Sequence, residues 1–434
     1  MKFVFLKNKE VKNAGWIIGG RIAQMLISLV VGALVARYLG PANYGLLNYG
    51  TAYVTLFTAF CNLGLNSVII KDFVDNPNEQ GEAIGSAIVM RMISSALSVF
   101  MIIGVSMTVD SSEPLTIFVV ALCSLGLIFH VFEMFNYWFQ FQYKSKITSI
   151  ATLVAYIIVS IYKIILLILE LDVRWFAFAT SIDYIAIAIF LYVAYKSHGG
   201  MKLRFSMRKS RALLKISYHY ILSSAMVAIY GQTDKFMLKQ MLDETEVGFY
   251  ACSTAICAMW VFVLQAIIDS IYPSILNLHK IDKDRYEKKN RQLYCIVFYV
   301  SVFVSIIFVI FGELAIKILY GVDFLPAAES LKVVTWYTAF AYLGVARNAW
   351  IVCEGNQRYL KYMYGCAAIM NVALNFAFIP IMGASGAALA SLITQLFTSI
   401  GLPLCFKKMR PNAKLMLEAI VFKNIFNDKR QKNV

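Results

Sequence analysis

The sequence predicts an all-α integral membrane protein of about twelve transmembrane helices, arranged as two six-helix lobes around a central cleft. Three observations carry this. Hydrophobic residues make up 60% of the 434 positions and charged residues 15%, a balance that an aqueous core does not explain. Apolar stretches of roughly 20 residues or more recur along the whole length, each able to span about 30 Å of hydrocarbon. Thirty of the forty Lys and Arg residues fall in connections on one side of those stretches.

The predicted spans lie near 14–36, 44–70, 83–108, 114–140, 147–170, 174–196, 212–238, 247–276, 292–319, 331–353, 359–380 and 384–406. An even number places both termini on one side. Lys2, Lys7, Lys9 and Lys12 precede the first span, seven cations fill 196–215, six fill 277–291 and the tail from Lys407 onward holds eight. The opposite loops hold Arg37, Arg174 and Lys239. The positive-inside rule then makes both termini and the basic loops cytoplasmic. The loop near 71–82 takes its side from its neighbours, because Asp72, Asp75, Glu79 and Glu82 outnumber Lys71.

The net charge of +15 therefore points to anionic lipid headgroups and not to nucleic acid. No soluble stretch is long enough for a nucleic-acid-binding domain, and the first apolar run is too long for a cleavable signal segment. The eight Cys sit within or at the ends of predicted helices without a CxxC pair and read as small apolar fillers. The four His are scattered, so no metal site is expected. There is no Walker A sequence. Asp282 and Asp284 make a DxD inside a basic loop, where a solvated charge cluster is the simpler reading. The opposite-side loops are short. No catalytic residue and no cofactor are expected.

The polar connection 197–211 divides the spans six and six. The first lobe is read as 1–198, the cytoplasmic linker as 199–211, the second lobe as 212–406 and a basic cytoplasmic tail as 407–434. A faint repeat supports the division: Leu39-Gly-Pro-Ala-Asn-Tyr-Gly45 stands where Leu242-Asp-Glu-Thr-Glu-Val-Gly248 stands in the second half. Thr51-Ala52 likewise meets Thr254-Ala255. Two lobes of one orientation form the parallel-repeat class of transporter, with a site between the lobes. The eight prolines lie in loops or toward span ends, which predicts mostly continuous helices. Gly81 and Gly85, and Gly383, Ala387 and Ser391, have the spacing that lets helix backbones approach closely.

The informative residues are ionisable groups within spans, where a charge costs about 2.5–3.5 kcal/mol and normally faces a protein interior or an aqueous cavity. Arg21, Gln24 and Ser28 share one face of the first span. His219, Ser223, Tyr230 and Asp234 share a face of the seventh. The fourth span carries His130, Glu133 and Tyr137. The eighth carries Gln265 and Asp269, the tenth Arg347 and Glu354, the eleventh Tyr364, Asn371 and Asn375. Arg91, Lys163 and Asp183 add single charges. The candidate cavity set is Arg21, Gln24, Arg91, Asp234, Lys235, Asp269 and Arg347. Each has a plainer reading. Arg91 and Arg347 lie close enough to the cytoplasmic edge to snorkel, and Asp234 and Lys235 close enough to the outer edge to cap or pair. Arg suits a pyrophosphate, because its planar fork bonds phosphate oxygens in pairs.

Arg37-Tyr-Leu-Gly-Pro-Ala-Asn-Tyr-Gly45 resembles the junction between the first two helices of Wzx-type polysaccharide flippases. Gln232-Thr-Asp-Lys-Phe-Met-Leu238 with Val247-Gly-Phe-Tyr250 is similar to the end of their seventh helix and its return. Glu354-Gly-Asn and Ile379-Pro-Ile-Met-Gly-Ala-Ser-Gly-Ala-Ala388 resemble the end of their tenth helix and the following turn. The resemblance runs the length of the chain. It implies two six-helix bundles round a cationic cleft in a bacterial cytoplasmic (inner) membrane. It also implies movement of an undecaprenyl-pyrophosphate-linked oligosaccharide to the outer leaflet, before polymerisation into O-antigen or capsule. The superfamily it implies also holds multidrug exporters and the lipid II flippase. It assigns no substrate role to individual arginines.

The expected mechanism is alternating access, with Arg21, Arg91 and Arg347 holding the anionic headgroup and Asp234 or Asp269 taking a proton or sodium ion. The expected partners are the lipid-linked oligosaccharide, membrane lipids and polysaccharide polymerase machinery. A cation-coupled multidrug exporter of the same fold is the rival, and it would want an acidic and aromatic cavity. A membrane-embedded enzyme of glycan assembly would need a compact catalytic cluster.

Overall fold

In hydrocarbon every backbone N–H and C=O must bond within its own segment, so apolar sequence of this kind forms helices. The computed structural model describes residues 9–424, without the side chains of 9–14, 17, 67 and 223. Lys2, Lys7, Lys429, Arg430 and Lys432 therefore lie outside the described residues, as do the side chains of Lys9, Lys12 and Ser223. The helices run in the order α1 Lys9–Cys61, α2 Ile69–Asp75, α3 Gln80–Val109, α4 Pro114–Ser124, α5 Leu127–His130, α6 Met134–Phe141, α7 Ser145–Ile168 and α8 Val173–Ser197. They continue with α9 Met207–Met241, α10 Glu244–Ile281, α11 Lys283–Leu319, α12 Ala327–Cys353, α13 Leu360–Leu396, α14 Leu402–Cys405 and α15 Arg410–Ile420.

No strand occurs among the described residues, and nine helical stretches are long and apolar enough to cross a membrane. The chain is an all-α, multi-pass membrane protein. Two of the nine stretches, Ile18–Cys61 and Gln357–Cys405, run to 44 and 49 residues, more than one crossing needs. Each breaks at a glycine. Gly40 sits at φ 71°, ψ 171° just before Pro41, and Gly383 at φ 57°, ψ −133° three residues after Pro380. Both conformations are open to glycine and costly for other residues.

The expectation of mostly continuous helices needs two corrections. Pro41, Pro273 and Pro380 lie inside long helices. The fourth span contains no internal proline, yet it is divided into α4, α5, a 3₁₀ turn over Val131–Glu133 and α6. Gly126 marks the break: a Cβ there would stand 2.5 Å from the Tyr184 ring and 2.9 Å from Ser181 Cα. Gly126 lets α8 pack closely against the point where the span divides, with no proline involved.

Packing separates two units, Met1–Gln232 and Thr233–Val434, and the division falls inside α9. The local reason is visible in the first unit, where the connection after α8 lies flat along α3. The Arg204 amide donates to Gly81 O at 3.2 Å, and the Ser206 amide to Ser86 Oγ at 3.0 Å. A Cβ on Gly85 would meet Arg204 O at 2.5 Å. The Gly81/Gly85 pair thus admits an extended strap where a second helix was expected. Lys209 fixes the strap's end through Asp72 Oδ2 at 2.9 Å and Glu79 Oε2 at 3.0 Å. The acidic loop that runs against the charge rule takes its cation from 130 positions away.

The described part of the tail packs on the second unit. Helix α15 buries Ala413, Leu415, Met416 and Ala419 and joins α11 through Asn412 Nδ2 to Tyr294 OH (2.7 Å) and Arg291 to Glu418 (3.0 Å). Each unit builds an apolar core toward the end with the basic loops. Ile69, Phe73, Phe135, Trp138 and Leu213 meet in the first. Tyr286, Leu293, Trp350, Met409 and Met416 meet in the second.

Candidate functional site

The most built polar site in the second unit surrounds Asp234, 7% exposed near the end of α9. Tyr250 OH donates to Oδ2 at 2.5 Å from α10, and Ser391 Oγ to the same oxygen at 2.7 Å. Asn375 Nδ2 donates to Oδ1 at 2.8 Å and Asn371 Nδ2 at 3.2 Å. Asn371 and Asn375 precede the break at Gly383, and Ser391 follows it, so both parts of α13 converge on one carboxylate. All four donors are uncharged, and no Lys or Arg among the described residues pairs with Asp234. A hydrogen bond to a charged acceptor contributes about 1.5–3 kcal/mol, so four of them can hold an ionised carboxylate inside a membrane helix bundle. Asn375 Oδ1 is buried without a partner. Asp234 thus faces two amide N–H donors, a hydroxyl and a phenol, and Asn371 Oδ1 is taken by Asn375 Nδ2 at 3.2 Å, which leaves Asn375 Oδ1 as the spare oxygen beside the carboxylate. The described residues hold no cluster of three His, Cys, Asp or Glu.

The other candidates of this unit stand apart from that site. Asp269 is exposed and bonded by Gln265 Nε2 at 2.8 Å on its own helix. Lys235 is half-buried. Arg347 is 5% exposed, so it does not snorkel. Its Nη1 donates to Thr398 O at 3.0 Å and Ser399 O at 3.4 Å. Those carbonyls belong to a widened π turn over Phe397–Gly401. Such turns loosen the helical ladder and leave acceptors to be satisfied from outside. No carboxylate among the described residues pairs with Arg347, and its Nε is buried without a partner.

In the first unit Arg91 is fully buried and again does not snorkel. Its Nη2 donates to Asn62 Oδ1 and, at 2.8 Å, to His130 Nδ1. Arg has no acceptor, so His130 Nδ1 accepts, and the ring proton lies on Nε2, which faces Glu133 Oε2 at 3.1 Å. Glu133 also lies 3.9 Å from Arg91. The divided fourth span is what turns His130 and Glu133 toward α3. Arg21 is exposed and Gln24 half-buried, neither with a partner among the described residues.

The structure therefore sorts the seven candidates. Asp234 joins a site, Arg91 and Arg347 are buried in separate networks, and Arg21, Gln24, Lys235 and Asp269 join neither. The sequence signal for the Asp234 partners was the Asn371–Asn375 pair, four apart in an apolar helix. Ser391 read only as a small packing residue, and Tyr250 carried no signal of its own.

Comparison with known proteins gives a consistent setting. Residues 11–279 match the family described as polysaccharide biosynthesis protein. The capsular polysaccharide biosynthesis protein CapF of Staphylococcus aureus is 20% identical over 411 residues, covering 92% of this chain and 100% of that protein. A multidrug resistance MATE family transporter of the MOP superfamily, in its inward-facing conformation, superposes with a TM-score of 0.69 at 15% identity, covering 91% of this chain and 96% of that one. The lipid II flippase MurJ in an inward closed conformation also gives 0.69, at 14% identity, covering 93% and 91%.

Proposed function

The chain belongs to the polysaccharide biosynthesis protein family, and from that premise we propose that it is a flippase for undecaprenyl-pyrophosphate-linked oligosaccharide repeat units. It carries them across the bacterial cytoplasmic membrane for O-antigen or capsule assembly, by alternating access and without making or breaking a bond. The coarser statement, a membrane transporter with the MOP-superfamily fold, rests on the family match and the structural neighbours. In this reading the chain crosses the membrane twelve times, the glycine breaks at Gly40 and Gly383 separating pairs of crossings, and both termini are cytoplasmic.

The observation that carries the proposal is Arg347: a cation buried to 5% exposure, held by carbonyls, with no carboxylate among the described residues to balance it. A cation in that state favours an anionic cargo, because a pyrophosphate supplies the missing charge. Arg21 is the second anion contact, exposed and unengaged. Arg91 serves the first unit's internal network. Asp234 is the site of the coupling proton or sodium ion, supported by its burial without a cationic partner among the described residues and by the spare acceptor at Asn375 Oδ1.

The test is complementation of a flippase-deleted strain, reading surface polysaccharide beside membrane abundance. Wild type is expected to restore the polymer. Arg347→Ala is expected to reduce it about tenfold at equal abundance, the loss of roughly 1.4 kcal/mol. Full restoration by Arg347→Ala at equal abundance would remove the cationic role.

A further inference from the structure

Helix α10 reaches the Asp234 site and the break in α13 from neighbouring turns of one face. Tyr250, on the second turn, donates to Asp234 Oδ2. Glu246, four residues earlier, accepts the Ala384 amide on its Oε2 at 2.6 Å. Ala384 is the first residue after the break, so its N–H has lost its helical acceptor, and the Glu246 carboxylate replaces it at the positive end of the new helical segment. Gly383 leaves room for this. A Cβ at Gly383 would overlap the Glu246 carboxylate. The break thus has a fixed angle for a stated reason: a glycine conformation on one side and a carboxylate cap on the other. Asn371 and Asn375 lie before that angle and Ser391 after it, and all three bond the same carboxylate.

We propose that Glu246 is a positioning residue for the Asp234 site. Its bond to Ala384 sets the angle between the two parts of α13, and with it the fit of Asn371, Asn375 and Ser391 around the carboxylate. The proposal rests on the reading of Asp234 as the ion site. Glu246 touches neither cargo nor ion. It acts through Ala384, from the end of the unit opposite the basic loops.

The test uses the full-length protein purified in detergent, with sodium ion as probe, choline as the ionic-strength control and melting temperature as the readout. Wild type is expected to melt higher in sodium, and Asp234→Asn to show no such rise. Glu246→Ala is expected to need about tenfold more sodium for the half-maximal rise. Glu246→Gln keeps an oxygen for the Ala384 amide and is expected to respond nearly as wild type does. A cap of purely structural value would lower the melting temperature of Glu246→Ala in choline and leave the sodium midpoint unmoved, and that result would overturn the proposal. If wild type shows no response that depends on Asp234, the sodium reading of Asp234 fails separately. Positioning is then decided by the distance between spin labels at Ile369 and Leu396, both exposed, on either side of the break, with the native Cys replaced. Glu246→Ala is expected to shift or broaden that distance and Glu246→Gln to preserve it. An unchanged distribution in Glu246→Ala overturns the proposal on this arm as well.

Discussion

Asn375 places its amide 2.8 Å from Asp234 Oδ1 although 141 positions of chain separate the two residues. The bond closes the second unit's polar site, and it is the most direct place to test whether that site is used. Asn375→Ala removes a donor to a charged acceptor, worth about 1.5–3 kcal/mol. Ion-dependent transport should fall roughly tenfold, while Asn375→Asp, which keeps the oxygen and adds charge, should alter the ion dependence instead. Uptake of labelled substrate into vesicles across a range of sodium concentrations and pH checks both variants.

Arg91 and Arg21 should behave differently on mutation. Arg91 is fully buried against Asn62, His130 and Glu133. Removing one member of a buried charged network costs about 3–5 kcal/mol, because its partners stay behind unsatisfied. Arg91→Ala should therefore reduce membrane abundance. Arg21→Ala, at an exposed position, should leave abundance near wild type and lower transport. Immunoblots of membranes beside polysaccharide staining separate the two, and a stable, fully abundant Arg91→Ala would show that the network is dispensable.

The strap along α3 makes a third case. Gly85→Leu has no room against Arg204 O, and Lys209→Met strands Asp72, which is 14% exposed. Both should lower the melting temperature, by about 2–4 °C for each kcal/mol lost. Adding Asp72→Asn and Glu79→Gln to Lys209→Met should recover part of the loss, because the stranded charges are then gone. A melting temperature unchanged in Gly85→Leu would mean the strap is not docked on α3.

Much of this was readable in the sequence, and for physical reasons. Hydrocarbon forces long apolar helices, so the class of fold followed from composition and spacing. The cost of a buried charge marked Asp234, Arg91 and Arg347 before any contact was known. Partners were less readable, because they come from distant segments. The sequence shows no bond between Asp234 and Ser391, 157 positions apart. Nor did it show that Glu246 caps Ala384, or that the fourth span divides at Gly126, close against Tyr184. The linker 199–211 read as a polar cytoplasmic connection, and its bonds to Gly81 and Ser86 reveal that part of it is docked on α3.

Orientation is open to a simple check. The basic loops at Lys288 and Arg208 should report the cytoplasm in reporter fusions, and Glu244 and Ala327 the opposite side. An outer-side signal at Lys288 would contradict the twelve-crossing arrangement.

The most direct measurement is flipping itself. Purified protein in liposomes should move an undecaprenyl-pyrophosphate-linked oligosaccharide between leaflets faster than empty liposomes do. Arg347→Ala and Asp234→Asn should slow that movement at equal protein incorporation. Liposomes in which the wild type fails to move the lipid, yet drives a cationic dye across the bilayer, would contradict the account and favour the drug-exporter reading.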